Sequence, residues 1–127
     1  MKRSYLPPLA VLTAILLFSL WNAGNMTRKT QRWQEQLHQS DALAQAENWP
    51  EAVRTLTDSY TDWSDHQTYL HIVSQHGAVD DAEAMYRRAQ AFAAAREGSE
   101  FRAEISDLID QLRLLAEMER CSIRNVL

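Results

Sequence analysis

A charge-free stretch near the N-terminus constrains the fold of this chain more than any other feature. No charged residue occurs between Ser4 and Thr27, and residues 6–21 are the most apolar part. In a helix these residues measure about 24 Å, and the next turns complete the ~30 Å of a hydrocarbon core. Nine large apolar side chains in this part contribute roughly −3 to −5 kcal/mol to insertion. The segment therefore predicts one transmembrane helix.

The same segment fits two alternatives, a retained membrane anchor and a secretory signal that is removed. Cleavage needs small residues three positions and one position before the cut. A cut after Ala23 would place Trp21 at the first of these positions, which is unfavourable. A cut after Gly24 would place Asn22 there, which is no better. We therefore expect residues 1–27 to be an uncleaved signal-anchor, with a secreted soluble helical protein as the alternative.

Basic residues at both ends of the apolar segment give opposing orientation signals. They are Lys2 and Arg3 before the segment, and Arg28, Lys29 and Arg32 after it. Basic flanks tend to remain in the cytoplasm, and a short basic N-terminal tail usually does so. The expected arrangement is a single-pass protein of the cell membrane with a cytoplasmic N-terminus. Residues 28–127 would then form an extracytoplasmic domain.

The net charge of −4 is distributed unevenly along the chain. Residues 1–32 carry five basic residues and no acidic one, whereas residues 33–83 carry ten acidic residues and one arginine. Residues 84–127 carry seven of each sign. Nucleic-acid binding requires a broad positive face, which this pattern does not offer. We expect no nucleic-acid partner, and we interpret the acidic stretch as the solvated face of helices.

The residues after the anchor predict an all-α fold. The chain has three glycines and three prolines, which disfavours strand hairpins, and helix-forming residues dominate. Helical spacing predicts a helix that ends near Glu47, whether or not it is continuous with the span. Asn48 and Pro50 then form a helix start, with the asparagine as cap. The turn 47–52 resembles that of a tetratricopeptide repeat without a second copy downstream, and it predicts a small bundle built from helical hairpins.

Two further helices are predicted before the last one. The apolar face that begins at Trp49 is expected to continue through Leu70. Gly77 predicts a break between two helices. Asp80 or Asp81 is expected to cap the helix that follows.

The last predicted helix has the clearest apolar stripe in the sequence. Gly98 and Ser99 predict a stop followed by a new cap. The stripe consists of Phe101, Ile105, Leu108, Leu112 and Leu115. The tail that begins at Ser122 is apolar enough to fold back onto the bundle.

The histidines and the single cysteine do not predict a metal site. His66, His71 and His76 recur every five residues, so successive imidazoles on a helix point about 140° apart. A zinc-binding helix needs an interval of four residues. Cys121 is the only cysteine, so neither a disulfide within the chain nor a paired-cysteine site is available. We expect no metal and no cofactor.

The segment 62–66 contains the ingredients of a nucleophilic site, namely a carboxylate, a hydroxyl and an imidazole. Asp62, Ser64 and His66 are neighbours in sequence, however, and neighbours point to different faces of a helix. A working triad assembles across a fold. We therefore expect no catalytic residue. Trp33, Trp49 and Trp63 fall on the apolar stripes and are expected in the core.

Four features recur in the same order along nearly the whole chain, namely Trp49-x-x-Ala52-x-x-x-Leu56, Trp63, the segment from Leu70 to His76, and Glu119-x-x-Ser122-Ile123-x-Asn125-Val126. In these features the chain resembles a bacterial family of small membrane-anchored helical proteins, domain of unknown function 4363. In the family an acidic residue commonly follows the position of His76, whereas Gly77 stands here. The resemblance implies an N-terminal membrane segment followed by helices, and it implies no activity.

The sequence as a whole predicts a non-catalytic, membrane-anchored helical protein that acts as a protein-interaction or accessory module at the cell surface. An enzyme that uses His76 or the segment 62–66 is the least favoured alternative. An interaction module predicts an apolar or acidic groove on the bundle. The residues singled out for a structural or interaction role are Trp49, Ala52, Leu56, Trp63, His76 and Asn125. The expected partners are the membrane, crossed once, and another protein.

Overall fold

The computed structural model describes residues 6–73 and 76–126, and nearly all of them are helical. In chain order the helices are α1 (Leu6–Gln45), α2 (Trp49–Asp65), α3 (Gln67–Val73), α4 (His76–Ala94) and α5 (Gly98–Val126). The described residues contain no strand. The all-α prediction is therefore confirmed.

Four of the helices form an antiparallel bundle. α1 packs against α2 and α5, and α4 packs against the same two helices. α3 is a short link that contacts α2 and α4. Short turns join α1 to α2 and α4 to α5, so the two helices of each pair run antiparallel. α5 also runs back along α1, since Glu119 of α5 meets Asn22 of α1.

α1 is one unbroken helix in two different environments. Its first part is apolar and exposed. The exposed large side chains there are Leu6, Leu9, Val11, Leu12, Ile15, Leu17, Phe18, Leu20 and Trp21. From Asn22 onward one face of α1 is buried in the bundle. The domain boundary expected between residues 27 and 28 thus falls inside a continuous helix, a little beyond the start of its packed part.

The turn between α1 and α2 is closed by backbone hydrogen bonds. Glu47 has a left-handed backbone, with φ at 59°. The Asn48 N–H donates to the Leu43 carbonyl at 2.9 Å, and the Glu47 N–H donates to Ala44 at 3.0 Å. This is the Schellman pattern. The predicted side-chain cap from Asn48 is wrong, since that side chain makes no capping hydrogen bond. Its ψ of 68° lies outside the extended region that a side-chain cap uses.

The turn between α4 and α5 repeats this geometry. Arg96 has φ at 55°, the Glu97 N–H donates to Phe92 at 3.0 Å, and the Arg96 N–H donates to Ala93 at 3.1 Å. The predicted stop at Gly98 is wrong, because Gly98 is the first residue of α5 and the left-handed position falls on an arginine. A Cβ on Gly98 would lie 4.0 Å from the Trp49 ring.

The two hairpins also share one burial register. In α1, Thr30, Trp33, Leu37, Ser40 and Ala44 are buried, and 49 positions later in α4 so are Val79, Ala82, Tyr86, Ala89 and Ala93. In α2, Ala52, Leu56, Ser59 and Trp63 are buried, and at the same interval in α5 so are Phe101, Ile105, Leu108 and Leu112. The side chains differ at nearly every pair. The bundle is therefore two structurally equivalent hairpins packed face to face, although the sequence shows no second copy of the turn.

The predicted apolar face does continue to Leu70, which is buried in the core, but the helix that carries it is interrupted at His66. The Nδ1 atom of His66 lies 2.7 Å from the Asp62 carbonyl oxygen, which a helix would use for the backbone N–H of His66. That N–H bonds instead to the Trp63 carbonyl at 3.1 Å. The helix ends because the side chain competes with the backbone for one acceptor.

Two predictions for the later helices are also wrong. A new helix begins close to the predicted break, but it starts at His76, so Gly77 lies in its first turn and Asp80 and Asp81 are interior positions and not caps. α5 continues as a helix through Val126, so the tail from Ser122 does not fold back.

Candidate functional site

A polar junction holds α2 against α1 around Asp62. Its Oδ2 atom accepts hydrogen bonds from the Arg32 Nε at 2.9 Å and from the Trp33 Nε1 at 2.6 Å. Its Oδ1 atom lies 3.9 Å from the Nδ1 of His66, and the imidazole packs 5.9 Å from the Trp33 ring. The carboxylate thus serves an inter-helix contact, and the imidazole nitrogen bonds to a backbone carbonyl. In a catalytic triad the carboxylate would instead accept a hydrogen bond from the imidazole and orient it as a base.

Aromatic side chains fill the centre of the bundle between α2 and α4. The ring of Trp63 lies 5.3 Å from that of Tyr86, and the Tyr86 hydroxyl is 2.8 Å from the Ser59 hydroxyl. Tyr60 packs 5.5 Å from Tyr86 and donates to Glu83 at 2.8 Å. Burial raises the pKa of the Tyr86 phenol well above its ordinary value of 10.0, because a phenolate would lose its hydration.

The tyrosines predict a loss of stability at alkaline pH. The folded-state pKa of Tyr86 is raised, so its contribution is fully present below the unfolded pKa of about 10 and is lost as pH rises above that value. We expect the free energy of unfolding of the full chain in detergent to fall as the pH rises above about 10. Tyr86→Phe should lower stability at pH 7 by about 1 kcal/mol through loss of the Ser59 contact, and its alkaline decline should be smaller. An unchanged decline in urea titrations of Tyr86→Phe would contradict this assignment.

A second polar network lies where α1 enters the bundle. The Asn22 amide donates to Glu119 at 2.7 Å, and the Tyr69 hydroxyl donates to the Asn22 carbonyl oxygen. The ammonium of Lys29 lies 4.5 Å above the Tyr69 ring. Arg120 of α5 donates to a threonine hydroxyl of α1 at 3.3 Å. These contacts tie α3 and α5 to the base of the exposed apolar helix.

A cleft of about 520 Å³ runs between α1 and α5. It is lined by Gln34, His38, Asp41, Arg102, Ala103, Ile105, Ser106, Ile109, Asp110 and Arg113. Arg102 lies 3.5 Å from the Oδ1 of Asp41, and Arg113 pairs with Asp110. The Asp41 Oδ1 atom is buried and receives no hydrogen bond within the described part of the chain, since the arginine is not aligned for one. The groove has mixed charge, so the expectation of an apolar or acidic groove does not describe it.

Most of the residues singled out in the sequence lie in the core. Ala52, Leu56 and Trp63 are buried. Trp49 is half-buried and meets Phe101 edge-on at 5.4 Å, so it joins the two hairpin turns. His76 is exposed at the start of α4. The side chain of Asn125 lies outside the described residues.

The structure does not gather the described histidine side chains, His38, His66 and His76, into a ligand set. Over the described residues, no group of three or more His, Cys, Asp or Glu side chains could hold a metal ion. The His71 side chain lies outside that description. Cys121 is a free, exposed thiol.

Sequence reasoning missed two of the organising residues. Asn22 is a buried polar residue at the end of an apolar run, and its role depends on Tyr69 and Glu119, which are far away in sequence. Asp62 was considered only as part of a catalytic cluster, although its partners Arg32 and Trp33 lie on α1. A polar residue that interrupts an apolar stripe was the available signal for Asn22.

These features define a helical-bundle protein with an exposed apolar extension of its first helix. The chain belongs to the family described as Domain of unknown function (DUF4363), whose model matches residues 20–126. The matched range covers the whole bundle, and the resemblance found in the sequence is confirmed. No curated protein and no solved structure matches the chain.

Proposed function

We propose that this protein is a single-span membrane protein whose bundle stands outside the cytoplasm and binds another protein without catalysing a reaction. The observation that carries the proposal is the continuity of α1. One helix is exposed and apolar over its first part and packed over its second. The anchor and the bundle would then move as one rigid unit, with the bundle held close to the membrane surface.

The exposed part of α1 supports the membrane assignment. Its nine exposed large side chains each keep between 49% and 64% of their surface accessible. Soluble proteins rarely expose a continuous apolar surface of this extent. The helix is long and apolar enough to cross a bilayer, and Trp21 lies at the boundary with the bundle, where interfacial aromatics are favoured.

Charge at the N-terminus supports the orientation. Lys2 and Arg3 precede the apolar segment directly, and a short basic N-terminal tail usually stays in the cytoplasm. The bundle then lies outside, where the free thiol of Cys121 provides a marker of topology.

The cleft between α1 and α5 supports a role in protein recognition. Its walls carry two ion pairs, Arg102 with Asp41 and Arg113 with Asp110, and the apolar edges of Ile105 and Ile109. A surface of mixed charge with an apolar centre is typical of protein interfaces. Asp62, in contrast, is engaged in holding α1 against α2 through Trp33, and the Nδ1 atom of His66 is engaged with the Asp62 backbone carbonyl.

Thiol labelling tests the topology. In sealed vesicles of known orientation, a membrane-impermeant maleimide should label Cys121 from the extracytoplasmic side only. Cys121→Ser should abolish labelling, and Thr57→Cys in that background should restore it farther from the membrane, since Thr57 is exposed on α2. Labelling from the cytoplasmic side alone would reverse the orientation. A soluble chain with an N-terminus near Ala23 would instead support the secreted alternative.

Site-specific cross-linking tests the recognition role. A photoreactive amino acid at Gln34, which lines the cleft, should give a discrete adduct with another protein in cells. The same group at Thr57 on the exposed face of α2 should not. Identical patterns from the two positions would argue against the cleft as a binding surface.

A further inference from the structure

The basic side chains of the bundle divide into those that pair with a carboxylate and those that do not. Ion pairs hold Arg32, Arg54, Arg87, Arg88, Arg102 and Arg113. No carboxylate among the described residues forms an ion pair with Arg28, Lys29, Arg96 or Arg120. Arg96 lies in the turn at the far end of the bundle. The other three lie at the end where the apolar part of α1 emerges, at different positions around that helix.

The two arginines of this group reach the same short section of α1. The Nη1 atom of Arg28 lies 3.8 Å from the position of a Cβ on Gly24, so the side chain runs back toward the apolar segment. The Nη2 atom of Arg120 lies 3.3 Å from the Thr27 hydroxyl. Gly24 and Thr27 follow Trp21 by about 4.5 Å and 9 Å along the helix axis. The lipid headgroup layer extends about 5–7 Å beyond the hydrocarbon core.

Lys29 brings a third positive charge to the same end. Its ammonium lies over the Tyr69 ring. Partial burial lowers its pKa, and the neighbouring charge of Arg32 lowers it further. Asp62 acts in the opposite direction with a smaller effect. An anion bound nearby would stabilise this charge.

The acidic residues nearby leave these cations available. Glu119 accepts the hydrogen bond from Asn22. Glu117 lines a small cleft together with Arg120, and the described contacts include no ion pair between them. Arg120 is therefore held in place by a neutral hydroxyl and keeps donors for a further ligand.

We propose that Arg28, Lys29 and Arg120 bind the phosphate groups of anionic membrane lipids around the end of the bundle from which the apolar part of α1 emerges. Guanidinium groups bind phosphate with two parallel hydrogen bonds, and ammonium groups bind it as point charges. This lipid binding rests on the proposed membrane span, but not on which side of the membrane the bundle occupies. It would fix the height and tilt of the bundle above the bilayer.

Full-length protein in lipid nanodiscs tests the proposal. Nanodiscs of phosphatidylcholine alone are compared with nanodiscs that contain about one third phosphatidylglycerol, and the Tm of the bundle is followed by circular dichroism. The anionic lipid should raise Tm by about 4 °C or more. Arg28→Gln with Arg120→Gln should lose most of that shift. Arg28→Lys with Arg120→Lys should keep most of it, and Arg96→Gln, which removes an unpaired arginine at the far end, should keep all of it.

Each of the other outcomes overturns the proposal in a distinct way. No shift in the wild type, or an equal shift in the double glutamine variant, excludes a lipid site at these residues. An equal rise with inorganic phosphate in neutral nanodiscs assigns the site to a soluble phosphate ligand. A chain that does not enter nanodiscs at all contradicts the membrane span, and the lipid site with it.

Discussion

Replacing Trp63 with alanine is expected to destabilise the bundle by about 3–5 kcal/mol, because it removes a fully buried indole from the centre of the core. Trp63 contacts Tyr60 and Tyr86, so the cavity would open between α2 and α4. Domains of this size are stable by about 5–15 kcal/mol. Thermal unfolding of the full chain in detergent should show a Tm more than about 10 °C below that of the wild type.

A pair of phenylalanine variants separates packing from hydrogen bonding. The Trp33 indole donates to the Asp62 carboxylate at 2.6 Å, whereas the buried Nε1 of Trp63 has no acceptor among the described residues. Trp33→Phe loses a charge-assisted hydrogen bond, and Trp63→Phe removes an unsatisfied donor. The first should therefore destabilise the bundle more than the second, by about 1–3 kcal/mol. Equal losses would show that packing alone determines the contribution of both tryptophans.

The core could be predicted from the sequence because its signal is local. Helical spacing of apolar residues depends only on 3.6 residues per turn, and the stripe of the last helix, from Phe101 to Leu115, is buried as expected. The family resemblance rested on such positions as well. The spacing of apolar residues within one helix does not predict which helices pack against each other. The contact between Asp62 of α2 and Trp33 of α1 depends on that packing.

The helix ends were harder to predict, because several chemistries compete there. Gly77 and Gly98 were taken as breaks, yet both lie in first turns, and the left-handed positions fell on Glu47 and Arg96. A non-glycine residue costs about 1 kcal/mol or more in that conformation, and two backbone hydrogen bonds at each turn offset it. The equivalence of the two hairpins was hidden because equivalent buried positions carry different side chains. Trp33 of the first hairpin, for example, corresponds to Ala82 of the second.

The polar network of Asn22, Tyr69 and Glu119 shows why contacts between residues far apart in the sequence are difficult to predict. Asn22 is one residue after Trp21, and in the sequence it was considered only in relation to a cleavage site. In the structure it is buried between Tyr69 and Glu119, 47 and 97 positions away. The unpaired cations beside it gain significance only because α5 returns to this level.

Two arginines placed in the apolar part of α1 are expected to abolish stable membrane integration. The segment contributes roughly −3 to −5 kcal/mol to insertion. Leu12→Arg with Ile15→Arg removes about 1 kcal/mol of that and adds about 5–7 kcal/mol of cost near the bilayer centre. After an alkaline carbonate wash, the wild type should remain in the membrane pellet and the double variant should appear in the supernatant.

The control for this experiment places an arginine at an exposed apolar position outside the span. Leu114 lies on α5 and is 44% exposed, so Leu114→Arg adds an arginine without changing the span and should stay in the pellet. Leu12 and Ile15 lie outside the core, so the double variant should keep the helical circular dichroism of a folded bundle. Retention of a folded double variant in the washed membrane would mean that the bundle, and not α1, holds the protein there. The rigid connection between the span and the bundle would then have no anchoring role.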